Sequence, residues 1–261
     1  MKYYVFLLIL LLPVCAAAQP AYQPPPDSRE AVKNVPWDRA AAIGQNFREN
    51  FAACDRARTG DRYPCPSPGA PARTLRNGCS ENPNRNTALL KFPDGTVFFD
   101  GKMAVDADGS EYARRVGGVN QSETSVKIGN RSLDASKVPF IVVPQNASAT
   151  VSFRKSTGTE LGDLAVVVYK NKIIFAIVGD AGPSCRIGEG SIFVHEKAGN
   201  HICKNPACSD IHDNGIDDKV LYFIFPNTDV RKVPGMTMVK LKPYIETEGK
   251  KLFDRLRSPA P

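Results

Sequence analysis

The sequence predicts a mainly β protein: a compact closed β-barrel with an N-terminal helix and a short C-terminal helix. Three observations carry that expectation. From Thr87 onward, short apolar runs rich in Val, Ile and Phe recur at spacings near ten residues, a pattern of strands in a barrel or sandwich. Turn residues punctuate them, as in Pro93-Asp94-Gly95, Asp100-Gly101 and Asp106-Ala107-Asp108-Gly109. Residues 166–168 and 173–178 are nearly continuous apolar runs. Such strands need cover on both faces, which a small barrel packed by helices provides.

The elements follow in order. Lys2, a run of about a dozen apolar residues at 3–14 and then Ala16-Ala17-Ala18-Gln19 read as a secretory signal peptide over 1–18, cut after Ala18. Pro20, Pro24, Pro25, Pro26 and Pro36 make 19–36 an extended linker. A helix is expected over 38–58, where Ile43, Phe47 and Phe51 recur every four residues. Within the segment 37–86, residues 59–86 are rich in Pro, Gly and Asn and contain cysteines. The barrel domain is expected over 87–261, with strands at 88–92, 96–99, 103–105, 139–143, 164–169, 173–178, 191–195 and 220–225. Tyr169-Lys170-Asn171-Lys172-Ile173 predicts a tight hairpin. Residues 243–257 predict the closing helix, with Leu252, Phe253 and Leu256 facing inward and Gly249 weakening its middle.

Composition narrows the function. The 261 residues carry 34 Lys+Arg against 27 Asp+Glu, and 42% are hydrophobic. That is enough apolar surface for one core and too much for a disordered chain. Residues 19–85 hold 10 basic and 7 acidic side chains, 86–196 hold 12 and 12, and 197–261 hold 11 and 8. The positive charge is peripheral and dilute, whereas nucleic-acid binding requires a concentrated basic footprint. No nucleic-acid partner is expected, and no membrane association once the signal is removed. Removing the signal leaves Cys54, Cys65, Cys79, Cys185, Cys203 and Cys208, an even set consistent with disulfides in an exported chain. Cys203 and Cys208 are expected to pair locally. His201, Cys203, Cys208 and His212 have zinc-ligand chemistry, but their spacing suits a disulfide better, and no metal or other cofactor is expected.

The chemistry concentrates in Val178-Gly179-Asp180-Ala181-Gly182-Pro183-Ser184-Cys185-Arg186-Ile187-Gly188-Glu189-Gly190-Ser191-Ile192. A buried strand is expected to end at Val178, followed by Asp180 in a glycine-rich loop and Glu189 at the next strand. Two carboxylates at opposite ends of one loop can flank a bound sugar. Glycoside hydrolysis needs that arrangement, one acid for the leaving oxygen and one carboxylate for a water or the anomeric carbon. A solvated loop with two surface acids would carry the same residues. Asp106 and Asp108 could bind a substrate amine, support the catalytic water, cap a turn or hold calcium.

The runs 162–168, 173–182 and 188–192, together with Phe99-Asp100-Gly101-Lys102-Met103-Ala104-Val105-Asp106-Ala107-Asp108-Gly109, Pro139-Phe140-Ile141-Val142-Val143-Pro144 and Asp218-Lys219-Val220-Leu221-Tyr222-Phe223-Ile224-Phe225, resemble the glycoside hydrolase family 75 chitosanases. The segments occur in that family's order over roughly residues 90–226. The resemblance implies hydrolysis of β-1,4 links in chitosan with inversion, Asp180 as general base, Glu189 as general acid, and a barrel of the double-psi type. Lys102 and Ser191, in the matched segments, join Asp106 and Asp108 as candidate substrate contacts. The family loop often reads Gly-Asp-Thr-Asn-Gly, whereas here it is Gly179-Asp180-Ala181-Gly182-Pro183. Chitosan is a polycation and calls for an acidic cleft, which the neutral balance of 86–196 permits without demanding. The expectation is a monomeric, secreted or periplasmic glycosidase with a polysaccharide substrate. The alternatives are a non-catalytic glycan- or wall-binding module on the same fold, a peptidoglycan-directed glycosidase, and an inhibitor or surface interaction protein.

Overall fold

A computed structural model of the chain describes residues 21–43, 89–118, 120–145, 153–182 and 187–258, together with two short strands at 63–65 and 73–75. In chain order the strands are Ala41–Ala42 (β1), Tyr63–Cys65 (β2), Arg73–Leu75 (β3), Leu89–Lys91 (β4), Val97–Asp106 (β5), Lys127–Ile128 (β6), Arg131–Ser132 (β7), Phe140–Pro144 (β8), Leu164–Tyr169 (β9), Lys172–Gly182 (β10), Glu189–Ser191 (β11) and Ile216–Phe225 (β12). The α-helices are Glu111–Val116 (α1), Phe153–Thr157 (α2), Ile192–Ala198 (α3) and Met238–Arg257 (α4).

Strands β5, β11, β8, β10, β9 and β12 pair in that order, and β12 returns to β5, so six strands close a barrel. The β5–β11 and β8–β10 pairs are parallel and the other four antiparallel. The closed barrel is therefore as expected, with β4 and β1 added outside β5. Side chains alternate between two buried faces, as the strand period of two requires. One face gathers Phe99, Met103, Ile141, Val167, Ala176, Val178, Tyr222 and Ile224, and its members come from the barrel strands around the ring. This is the interior. Phe99 stacks on Tyr222 with ring centroids 4.4 Å apart, and Phe153 of α2 meets Phe99 edge-on. The Tyr222 hydroxyl, buried with them, donates to the Lys102 carbonyl at 2.7 Å, which removes the penalty of an unpaired polar atom in that core.

The other face, with Phe98, Phe140, Val142, Val166, Val168 and Phe223, is covered from outside by α4 and by residues near the N-terminus. Helix α4 presents Leu241, Ile245, Gly249, Phe253 and Leu256 as its buried stripe. It begins five residues earlier than the periodicity suggests, because the Thr237 side chain caps it by accepting from the Lys240 N–H. Gly249 is where the helix approaches the barrel: a Cβ there would lie 3.0 Å from the Phe175 ring. Residues 21–37, for all their prolines, stay on the barrel. Ala31, Val32 and Val35 are buried, Trp37 packs 4.8 Å from Phe98, and Tyr22 donates to Asp100 at 2.8 Å.

Three local expectations are corrected. The start of the expected N-terminal helix is extended: Ala41 and Ala42 pair with Lys91 and Leu90, and the Ile43 N–H donates to the Leu89 carbonyl. A strand edge takes those N–H groups before a helix can, and residues 44–58 lie outside the described residues. The two short strands expected at 96–99 and 103–105 are one ten-residue strand, β5, because Asp100-Gly101 pairs with Val220 and Leu221 rather than turning. The strand expected at 191–195 is mostly helix α3. Ser191 caps it and Gly199, in the left-handed region, ends it. The Cys203–Cys208 disulfide is present as expected, whereas the side chains of Cys54, Cys65, Cys79 and Cys185 lie outside the described residues.

Helix α3 buries His195 completely. Its Nε2 lies 3.1 Å from the Ala104 carbonyl and its Nδ1 2.9 Å from the Asn200 amide nitrogen, so the neutral ring donates through Nε2 and accepts through Nδ1. Burial pushes the imidazole pKa down to about 4. The unfolded chain takes up that proton near the ordinary value, so His195 costs no stability at neutral pH and lowers it as pH falls from about 6.5 toward 4. The expected loss between pH 7 and 4.5 is roughly 2–3 kcal/mol. It is read as the difference in urea unfolding free energy between wild type and His195→Gln at the two pH values. Equal pH slopes in the two proteins would contradict the assignment.

Candidate active site

Strand register builds the site. Asp180 on β10 lies opposite Val142 on β8, Val142 opposite Glu189 on β11, and Glu189 opposite Ala104 on β5. Residues directly opposite one another project from the same face, so Asp180 and Glu189 stand on one row with Val142 between them. Val142 belongs to the outer core face, so the row faces away from the barrel interior. Two strand spacings separate the acids, about 9–10 Å along the backbone. Asp180 is on a strand and not in a loop: β10 runs past the expected end at Val178 to Gly182, with a register shift between Val178 and Asp180.

Glu189 is half-buried and Asp180 is 5% exposed. The Asp180 carboxylate is gripped by one oxygen only. Its Oδ1 accepts from the Ser125 N–H at 3.0 Å, from the Ser125 hydroxyl and from the Ala181 N–H at 2.7 Å. Its Oδ2 is buried and has no hydrogen-bond partner. Burial raises the Asp180 pKa, and the three donors pull it back toward the charged form. The buried acid is thus the one expected to work ionised, and the hydrogen bonds on Oδ1 favour that state.

Asp106 lies two residues beyond Ala104 on the same face of β5, and Asp108 follows in the turn. The Asp108 N–H donates to Asp106 Oδ1 at 2.7 Å, and the Gln121 N–H donates to Asp108 Oδ1 at 2.7 Å. Asp106, Asp108 and Asp180 each offer an oxygen within 4.8 Å of the others. Burial, followed by the neighbouring charge of Asp108, raises the Asp106 carboxyl well above the usual range. Burial also pushes Asp108 up to about 6. Residues 120–126 tie this group together, because Gln121 holds Asp108, Ser125 holds Asp180, and the Val126 N–H donates to the Gly179 carbonyl. Nothing in the sequence singles out Ser125: it lies in a polar stretch without periodicity or motif.

The remaining candidates divide. Lys102 is on the same outer face of β5 as Ala104 and Asp106, buried to 8% exposure. Ser191 is fully buried. Its hydroxyl donates to the Val138 carbonyl and accepts from the Phe140 and Val194 N–H groups, so it fixes α3 and β8 beneath the row and offers no hydroxyl at the surface. Gly182 lies two residues beyond Asp180 on the same face, and a Cβ there would sit 3.1 Å from Glu189 Oε2 and from Val142 Cγ1. Gly182→Ala is expected to push the Glu189 carboxyl off its position. A shift of a few tenths of an ångström relieves the contact, so turnover should fall several-fold, less than the roughly hundredfold that a full ångström of misplacement costs, while the melting temperature stays close to wild type. Unchanged kcat in that variant would show that the Glu189 carboxyl does not work from this position.

The site therefore gathers four carboxyls on one outward face from a stretch of sequence with no net charge. No curated protein matches this chain. The family model described as fungal chitosanase of glycosyl hydrolase group 75 matches residues 103–255, from the middle of β5 to the last turn of α4. The match takes in every barrel strand in whole or part and all four carboxyls, and it spans more than half of the chain. The chain belongs to the fungal chitosanases of glycosyl hydrolase group 75.

Proposed function

We propose that the protein is a secreted or periplasmic, endo-acting glycosidase that cleaves β-1,4 bonds of chitosan or a related amino-sugar polymer with inversion. Asp180 is the general base and Glu189 the general acid. The observation that carries this reading is the one-sided grip on Asp180. Three donors saturate Oδ1 and fix the carboxylate, while Oδ2 keeps its lone pairs for the proton of an attacking water. Glu189 stands across Val142 on the same row, on the far side of a sugar laid between them. Inverting enzymes hold their two carboxyls about 6.5–9.5 Å apart to admit a water beside the sugar ring, and the two strand spacings between these residues are of that order. Asp106, Asp108 and Lys102 line the same face as substrate contacts, with the two acids suited to amine groups of the polymer.

Residues 1–18 act as the export signal, and the Cys203–Cys208 disulfide accords with an oxidising compartment. Among the described residues no helix is long and apolar enough to cross a membrane. The protein acts as a monomer without a cofactor. The test is reducing-end release from a panel of chitosans, chitin and peptidoglycan sacculi, with Asp180→Asn and Glu189→Gln beside wild type. Chitosan should be cut by wild type alone. Binding without release would identify a glycan-binding module, and release from sacculi alone would redirect the enzyme to peptidoglycan.

A further inference from the structure

The carboxyls of Asp106, Asp108 and Asp180 offer oxygens within 4.8 Å of one another. The influences that dominate these three groups are burial, one another, Glu189, and hydrogen bonds from Asp108, Gln121, Ser125 and Ala181. Negative charge gathered in a partly desolvated site is unfavourable, and a cation bound there offsets it. One oxygen of the group, Asp180 Oδ2, is buried in a side chain only 5% exposed, and it has no hydrogen-bond partner. The other carboxyls are already oriented: Asp106 by the Asp108 N–H and Asp108 by the Gln121 N–H.

We propose that Asp106, Asp108 and Asp180 form a binding site for one hard divalent cation of the calcium class, and that this cation competes with the substrate for the site. The donor set is oxygen alone, which selects hard ions over zinc or copper. Oxygens bound to one calcium at about 2.3–2.6 Å lie no more than about 5 Å apart, and these three lie within that limit. The i, i+2 spacing of Asp106 and Asp108 puts two ligands on one turn, and Asp180 supplies the third from a different strand. Water completes the shell on the open side, since three carboxylates do not fill the six to eight positions of calcium. The competition rests on the reading of Asp180 as the base. A cation on Oδ2 occupies the lone pairs that would take the proton of the attacking water, and it also removes the negative field that attracts a polycation.

The experiment is calcium titration calorimetry on protein stripped with a chelator, at constant ionic strength, for wild type, Asp106→Asn, Asp108→Asn and Glu189→Gln. Circular dichroism confirms that each variant is folded. Wild type and Glu189→Gln should bind one calcium per chain with a dissociation constant of about 10⁻⁴–10⁻³ M, in the range of extracellular calcium modules. Each Asn variant should bind at least about tenfold more weakly, as other losses in a metal's ligand sphere do. In turnover, calcium should raise the KM for chitosan in wild type by the occupancy factor and leave kcat unchanged, against matched sodium chloride. No binding to wild type at about 10 mM calcium, well above that range, would overturn the proposal, as would equal binding to both Asn variants. Binding of glucosamine but not calcium, with glucose inert, would also overturn it and assign the cluster to the substrate amine. Calcium binding without a change in KM would overturn the competition. The calorimetry needs no turnover, so an inactive wild type would sink the hydrolase reading and leave the cation site still measurable.

Discussion

Glu189→Gln is expected to slow chitosan hydrolysis by about 10²–10⁴-fold, the usual contribution of a positioned proton donor, and to lose much less on an aryl glycoside whose leaving group needs no proton. Asp180→Asn is expected to lose a similar factor on both substrates, because both still require an activated water. The contrast matters because burial alone argues for the opposite roles. Asp180 is the buried carboxyl, and burial favours a protonated acid. The hydrogen bonds argue for the assignment made above: three donors converge on Asp180 Oδ1, and donors stabilise the ionised form. If the aryl glycoside rescues Asp180→Asn and not Glu189→Gln, the two roles are exchanged. If both variants keep near-normal rates on chitosan, neither carboxyl is catalytic.

Gly109→Ala is expected to destabilise the fold by about 2–5 kcal/mol and to reduce turnover in whatever fraction remains folded. Two penalties combine. Gly109 has φ +72°, a left-handed backbone that costs an L side chain about 1–2 kcal/mol. A Cβ at this position would also lie 1.9 Å from the Leu133 carbonyl oxygen. That contact is with backbone and has no flexible end to yield, so overpacking adds about 1–3 kcal/mol. The shift needed to relieve it passes to Asp108, the preceding residue, and to the Gly109 N–H bond with the Gln121 carbonyl, which holds 120–126 against the site. Urea unfolding measures the first effect and kcat at a temperature well below melting the second. A loss under about 1 kcal/mol would mean that the turn after Asp108 is not anchored on Leu133 as described.

Periodicity and turn chemistry made most of the barrel legible. The hairpin at Lys170-Asn171 links β9 and β10 as expected, because alternating or continuous apolar runs bounded by turn residues leave few other ways to bury that surface. Where neighbouring segments compete, local pattern misled. Asp100-Gly101 has the chemistry of a turn and continues as strand because β12 pairs across it. The apolar run at 191–195 has the composition of a strand and folds as a helix, because Ser191 caps it and its buried residues, Ile192, Val194, His195 and Ala198, fall at helical spacing. Ala41 and Ala42 are drawn to β4 by a pairing edge that no window of local sequence contains.

Among the site residues, Asp180 and Glu189 stand out as two acids on either side of a glycine-rich segment, a pattern that a solvated loop shares, and it is the family resemblance that singles them out. Asp106 and Asp108 could be suspected and not placed, while Ser125 and the structural duty of Ser191, expected as a substrate contact, could not be read at all. The sequence by itself determined five of the six barrel strands, a local disulfide and a pair of acids whose spacing a glycosidase or a solvated loop would share. Only the tertiary structure decided that Val142 would stand between those acids, that Asp106 and Asp108 would join Asp180, and that a stretch with equal numbers of positive and negative side chains would turn four carboxyls to one face. The physical reason is register. A strand fixes which face its own residues share, but which residues of different strands stand side by side depends on how distant segments pair when the barrel closes.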